Sequence, residues 1–210
     1  FQYLLLVLVE TLPILPWAGQ YLGWVFLTRA GWNLGWLVLL WPPFFLAGIF
    51  LQICVFLLFH RILFPFGMSP GVHPLYGWVH CRWATARALQ SQNLGIIYTF
   101  FCKTSIFNCV YRCLGAKIGA GARIDTVSIH EPGLVEIGEG TKIGRHVNAS
   151  PAMIAPAGMF GDAPVLMFST VIIGSHCEVG HRAILPAGGR LVDRTHLKPR
   201  SSPAHKNAVG

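Results

Sequence analysis

Charged side chains are nearly absent from residues 1–60, which contain only Glu10 and Arg29. This absence excludes an ordinary water-exposed domain there, because a soluble surface is largely covered by polar and charged groups. Positions 31–59 form one uncharged run, longer than the ~20 residues that a helix needs to cross a bilayer. We predict a transmembrane region over residues 1–60 with two spans. The first span is interrupted by two prolines, so it is either one kinked helix or the end of one helix followed by part of another.

Several chemistry-bearing motifs are also absent. The six cysteines form no CxxC pair, which excludes a zinc ribbon and argues against a disulfide framework. The glycine-rich runs lack the GK[ST] ending of a phosphate-binding loop. The net charge of +8 is not concentrated in one basic run, so nucleic acid is not an expected partner. We expect the partners to be the lipid bilayer and other membrane-protein subunits, because all seven tryptophans lie within residues 1–83, where such rings anchor helices at the headgroup level or pack against other spans.

What the chain does contain is a six-residue period after residue 113. An aliphatic residue followed by glycine or a polar residue recurs at Ile118-Gly119, Ile124-Asp125, Ile137-Gly138, Ile143-Gly144, Ile173-Gly174, Val179-Gly180 and Leu185-Pro186. A hexapeptide period is typical of short stacked rungs with the aliphatic residue inward. We therefore predict a left-handed parallel β-helix over residues 114–197, with an inserted loop at 148–169 and a basic tail at 198–210.

Residues 61–113 are too polar to cross a bilayer and too apolar for a linker. We predict two helices there, one from Pro74 to about Gln90 and one over the following apolar stretch. They lie either along the membrane interface or against the end of the repeat region. The predicted fold class is thus membrane α plus all-β: two transmembrane helices, interfacial helices, then the β-helix. Basic residues follow the second span, so we expect the repeat region on the cytoplasmic-equivalent side of the membrane.

The order of these elements resembles a known family. The segments PLYGWVHCRWATARAL (74–89), LGAKIGAGARIDT (114–126), EPGLVEIGEGTKIGRHV (131–147) and VIIGSHCEVGHRAILPAGG (171–189) carry the resemblance. They are similar to the membrane-bound carboxy-terminal module of poly-lysine-synthetase-type non-ribosomal peptide synthetases, over roughly residues 30–192. The resemblance implies an acyltransferase-like repeat domain that joins aminoacyl units. The sequence contains one such module without adenylation or carrier domains, and we expect it to be a processed form or a fragment.

A general base is needed for acyl transfer, and histidine is the usual one at neutral pH. The repeat region contains His130, His146, His176 and His181. We predict His146 as the base, because it directly precedes the long loop, with Asp162 or Glu131 orienting it; the alternative is an outward-facing turn histidine. His176 and His181 have a zinc-like spacing, but their phase in the repeat is wrong for ligation, so we predict no metal site.

The inserted loop is apolar, which leaves two hypotheses open. Its residues Met159, Phe160, Leu166 and Phe168 either cover an acyl pocket or bind a partner. In the first case the protein is a membrane-anchored acyltransferase-like enzyme that needs no cofactor. In the second it is a non-catalytic accessory or scaffold subunit of a photosynthetic or respiratory complex in a thylakoid or inner mitochondrial membrane. In a photosynthetic complex, chlorophyll could be ligated by His60, His73 or His80.

Overall fold

A computed structural model describes residue 11 and residues 14–65, 67–159 and 162–203. Within these residues lie four α-helices: α1 Ile14–Arg29, α2 Leu34–Leu63, α3 Trp78–Phe101 and α4 Ser105–Cys113. Asn33 caps the start of α2 by accepting a hydrogen bond from the Gly35 amide, and Thr104 caps α4 through the Phe107 amide. Polar side chains at these two positions therefore determine where the helices begin.

One described helix is long and apolar enough to cross a membrane. It comprises Gly35–Leu63 within α2, and its outward face carries large exposed side chains such as Phe50 and Leu58. The prediction of two spans is wrong for the part of the chain that the structure describes. The 16 residues of α1 extend over only about 24 Å, less than the ~30 Å hydrocarbon core.

Polar contacts join the first three helices. The indole nitrogen of Trp17 in α1 donates a hydrogen bond to the Gln52 side chain of α2 at 3.1 Å. Gln52 in turn donates to the Asn93 side chain of α3, also at 3.1 Å, and both amides are buried. A hydrogen bond between buried amides is costly to break, so this chain of contacts holds α3 alongside α2.

The helices after α2 pack against the repeat region. Trp83 and Val79 of α3 contact a small core that contains Leu134, Leu166 and Phe168. The short helix α4 buries its apolar face in the main core, with Phe107, Val110 and Tyr111 nearly inaccessible. Of the two positions expected for these helices, the structure therefore shows packing against the repeat region. The first helix begins at Trp78 instead of Pro74, because Pro74 ends a strand.

The described residues contain thirteen short strands, ten of which follow the hexapeptide repeats. They are β1 Gly71–Pro74, β2 Lys117–Ile118, β3 Arg123–Ile124, β4 Val135–Ile137, β5 Lys142–Ile143, β6 Asn148–Ala149, β7 Ala152–Ala155, β8 Val165–Phe168, β9 Val171–Ile173, β10 Glu178–Val179, β11 Ile184–Leu185, β12 Arg190–Leu191 and β13 His196–Leu197. Parallel pairing joins these ten strands into the sheets β2-β4-β9-β12, β3-β5-β10-β13 and β6-β11. In β3, β5 and β10 the aliphatic residue is buried and the residue before it is exposed.

The inserted segment is not a loop but a hairpin. Strands β7 and β8 pair in antiparallel fashion, and β1 adds to the outer edge of β8. The predicted fold of a left-handed parallel β-helix is therefore wrong as stated, because the strands divide among four small sheets, one of them antiparallel. The physical reason is that Leu166 and Phe168 alternate with more exposed neighbours, the two-residue period of a half-buried strand.

Glycines at the strand ends allow neighbouring backbones to approach. A Cβ atom added to Gly119 would lie 2.5 Å from the Glu139 amide nitrogen, and one added to Gly138 would collide with the Ser175 amide. Neither glycine has a positive φ. Glycine is therefore required at these positions for close backbone stacking rather than for an unusual turn conformation.

Candidate functional site

The predicted catalytic residues lie apart. His146 is exposed on the turn between β5 and β6, with a left-handed φ of +56°. Asp162 is exposed beside the hairpin tip, and Glu131 is only 3% exposed. Among the described residues, His146 makes no hydrogen bond or ion pair with Asp162 or Glu131. The roles assigned to these three residues stay predictions, and the geometry gives them no common site.

Glu131 holds α3 against the repeat region. Its Oε1 atom accepts a 2.6 Å hydrogen bond from the Trp83 indole and lies 3.7 Å from the Arg87 guanidinium. Burial raises the pKa of the Glu131 carboxyl, while Trp83, Arg87 and the Ala152 backbone act in the opposite direction. The carboxyl is closed off from solvent, so it acts as a structural contact between α3 and the repeat region.

His130 lies next to this contact and is half-buried. Burial lowers the pKa of its imidazole to about 4, and the nearby Arg87 charge contributes in the same direction. His130 is therefore neutral at pH 7. It lies beside the contact between Glu131 and α3, away from the groove described below.

The four apolar residues predicted to bind a partner have different environments. Leu166 is inaccessible and Phe168 is 3% exposed, because both pack beneath α3. Met159, at the hairpin tip, is 59% exposed. Phe160 lies outside the described residues. Half of the predicted surface therefore belongs to the interior of the chain.

The histidines considered as pigment ligands are packed against aromatic rings. His60 is buried between Phe56 and Phe64, and His73 lies 5.7 Å from the Phe168 ring. His80 contacts Trp83 at 5.6 Å. Of the three, only His60 is buried, and His73 and His80 are partly exposed. The structure gives no support to a photosynthetic role, and the three pigment-ligand assignments stay predictions. The described part of the chain also contains no group of three His, Cys, Asp or Glu residues that could hold a metal ion.

A groove along the sheet β3-β5-β10-β13 is a candidate site that is open to solvent, unlike the buried carboxyl of Glu131. It encloses about 410 Å³. Its lining includes Lys103, Arg123, Asp125, Lys142, Glu178, His181 and His196. Four of these side chains come from consecutive strands of the sheet, in the order Arg123, Lys142, Glu178, His196. The parallel pairing thus assembles cations, a carboxylate and imidazoles on one face.

Two histidines in the groove have defined partners. His196 Nδ1 lies 3.4 Å from Glu178 Oε2, so a neutral His196 that donates from Nδ1 leaves Nε2 as a proton acceptor. His181 Nδ1 accepts a 3.0 Å hydrogen bond from the Arg145 amide, so a neutral His181 carries its proton on Nε2. One imidazole can therefore accept a proton while the other donates a hydrogen bond.

Asp125 forms the anchored end of the groove. Its Oδ2 atom contacts Lys103 Nζ at 2.9 Å and Arg145 Nε at 3.2 Å, and Oδ1 accepts from the Tyr98 hydroxyl at 2.8 Å. Burial acts to raise the pKa of Asp125, but the hydrogen bonds from Lys103 and Tyr98 outweigh it and hold the pKa below its ordinary range. The carboxylate is thus ionised and fully used by neighbouring groups of the protein.

Sequence analysis missed the pair of Glu178 and His196, and it preferred His146 to His181 as the general base. The available signal was the strand spacing. Glu178 and His196 occupy the same outward position on β10 and β13 and are register partners. Three hexapeptides separate them, so a search for polar residues at outward positions three repeats apart could have found the pair.

Comparison with known proteins reveals one distant relationship. The chain is similar to a delta-poly-L-ornithine synthetase of Acinetobacter baumannii (strain AB307-0294), with 27% identity over 147 residues. The aligned residues cover 70% of this chain and 10% of the synthetase, so the similarity spans about a tenth of that protein. No protein-family profile matches the chain, and no solved structure matches it. The similarity supports a relationship to the poly-amino-acid synthetases.

Proposed function

We propose that this chain transfers aminoacyl groups to an amine, at the groove on β3-β5-β10-β13, while α2 anchors it to a membrane. The observation that carries the proposal is the pairing of His196 with Glu178 inside an open groove. The similarity to a poly-L-ornithine synthetase favours an aminoacyl substrate over other acyl groups. The chain matches about a tenth of that synthetase, and the proposal concerns the transfer step alone.

The groove supplies the groups that such a transfer needs. The nitrogen of an acceptor amine attacks the carbonyl carbon of an aminoacyl thioester, forming the C–N bond. His196 Nε2 takes the proton that the nitrogen loses, and the Glu178 carboxylate stabilises the resulting imidazolium. The His181 Nε2–H can donate to the carbonyl oxygen as negative charge develops there. When the C–S bond breaks, the proton passes from His196 to the thiolate.

Transfer can be measured with a small thioester. The full chain in neutral detergent is incubated with an N-acetylcysteamine thioester of L-ornithine and free L-ornithine, and the dipeptide is quantified by mass spectrometry. We expect His196→Gln to lower the rate about 100-fold and Glu178→Gln to lower it less, since general-base catalysis contributes roughly 10²–10⁴-fold. His176→Gln, a turn histidine outside the groove, is the matched control and should keep the wild-type rate.

The same assay distinguishes the two candidate bases. If His146→Gln abolishes transfer and His196→Gln does not, the base is His146 and the groove is not the catalytic site. If the wild-type chain transfers no faster than buffer, with folding confirmed by circular dichroism, the proposed function is refuted.

A second candidate function is attachment to another membrane protein through the hairpin tip. Met153, Ile154 and Met159 are 40%, 54% and 59% exposed, an apolar group at the end of an otherwise packed hairpin. Replacing Ile154 and Met159 by serine should release the chain from a native complex, measured by blue-native electrophoresis. Val192→Ser serves as the control, because Val192 is an exposed apolar residue outside the hairpin. Leu166 is unsuitable, since it is buried and its replacement would disturb the fold.

A further inference from the structure

Two cations face each other on neighbouring strands of the groove. Arg123 on β3 and Lys142 on β5 are register partners, and both side chains are exposed on the groove side. Like charges at directly opposed positions destabilise a sheet. Among the described residues no carboxylate lies within 4.0 Å of either cation. The groove therefore contains positive charge that the protein does not neutralise.

The neighbouring sheet β2-β4-β9-β12 has an oppositely charged pair at the corresponding outward positions. Lys117 on β2 is the register partner of Glu136 on β4, and their charged atoms lie 2.6 Å apart. That pair neutralises itself. In the groove sheet Lys142 takes the place of the acidic partner, so Arg123 has no carboxylate opposite it on β5.

The two acidic groups of the groove are already used. Asp125 is shared by Lys103, Arg145 and Tyr98, as its three contacts show. Glu178 is the register partner of Lys142, but its carboxylate lies against His196 instead. Neither group is left to balance Arg123 and Lys142.

We infer that Arg123 and Lys142 form a binding site for the oxyanion of a substrate, either a phosphate or a carboxylate. An arginine fork matches the geometry of both groups, and an adjacent lysine adds a point charge. The groove of about 410 Å³ is large enough for a small molecule that carries such a group. The inference deepens the proposed function, since the bound anion would lie on the same sheet as His196. Binding of the anion does not depend on the proposed transfer reaction; only the identification of the anion as part of a substrate rests on it.

Chemical protection of Arg123 tests the site without requiring turnover. The full chain in neutral detergent is treated with phenylglyoxal at constant ionic strength, with sodium phosphate or sodium acetate replacing chloride, and modified peptides are quantified by mass spectrometry. We expect saturating anion to slow modification of Arg123 about fivefold or more, because a bound oxyanion shields the guanidinium from the reagent. Arg190, exposed on β12 outside the groove, is an internal control and should be unaffected.

Two variants with equal loss of charge add a second measurement. The anion that protects Arg123 should raise the melting temperature of the wild type and of Arg190→Gln/Arg194→Gln, but not that of Arg123→Gln/Lys142→Gln. Protection by phosphate alone assigns the site to a phosphate-bearing substrate, and protection by acetate assigns it to a carboxylate. Equal protection of Arg123 and Arg190, or no protection by either anion, overturns the inference.

The outcome separates this inference from the proposed function. His196→Gln should retain anion protection of Arg123 while losing transfer. Protection without any transfer by the wild type would refute the transferase proposal and leave the anion site standing. Transfer that is unchanged in Arg123→Gln/Lys142→Gln, together with no protection, would refute the anion site alone.

Discussion

Replacing Ile143 tests the packing of the repeat region most directly. Ile143 on β5 is 3% exposed and lies between its register partners Ile124 and Val179, which are 0% and 2% exposed. Ile143→Ala leaves a cavity enclosed on both sides. The flanking backbones are held by ladder hydrogen bonds such as Asp125 N–H to Ile143 C=O at 3.0 Å, so the neighbours cannot collapse into the space. We expect a loss of about 3–5 kcal/mol, the upper part of the range for such substitutions.

Two comparison variants make the expected loss specific. Lys142→Ala alters the adjacent, solvent-facing side chain and should change stability by no more than about 0.5 kcal/mol. Leu197→Ala lies on the edge strand β13, where the 9% exposed side chain has a register partner on one side only. Its loss should be about 2–3 kcal/mol, since the site is open to rearrangement. Denaturant unfolding of the detergent-solubilised chain, followed by circular dichroism, gives all three values. Similar losses for Ile143→Ala and Lys142→Ala would show that the inward register is wrong.

Three further predictions concern backbone stacking, pH and topology. Gly119→Ala should lower the melting temperature by several degrees, because its Cβ would lie 2.5 Å from the Glu139 amide; unchanged melting would contradict the close approach. The folded-state pKa of His130 is about 4, below the ordinary value near 6.5, so its neutral form stabilises the fold above pH 6.5 and this contribution is lost as the pH falls toward 4. Between pH 6.5 and 4 the free energy of unfolding of the wild type should therefore fall more than that of His130→Gln. An equal fall in both proteins would argue against the lowered pKa. If α2 crosses the membrane, Arg29→Cys and Lys142→Cys should be labelled by an impermeant maleimide from opposite faces, whereas labelling from one face would exclude a single crossing.

Much of the local structure follows from side-chain patterns. The uncharged run after Arg29 indicates the long apolar helix, because so long a stretch without charge cannot form a water-facing surface. The hexapeptide aliphatics Ile124, Ile143 and Val179 are buried, since only their apolar side chains can leave water at no polar cost.

The hairpin and the candidate site depend on contacts distant in sequence. The sequence of segment 152–168 suggests a loop. In the structure it forms strands β7 and β8, and β1, which precedes α3 in the chain, pairs with β8. Nothing local indicates that Trp83 hydrogen-bonds to Glu131, because the two lie far apart in the sequence and on different elements.

The amino-acid sequence alone determined that the aliphatic residues of the hexapeptides are inward and which segment is long and apolar enough to cross a membrane. These properties depend on the solvation of each side chain and on its immediate neighbours. Only the tertiary structure decided that Glu178 faces His196 and that Arg123 faces Lys142, because strand pairing brings together residues from separate repeats. The charged side chains of the groove come from separate repeats, so they lie together only after the strands have paired.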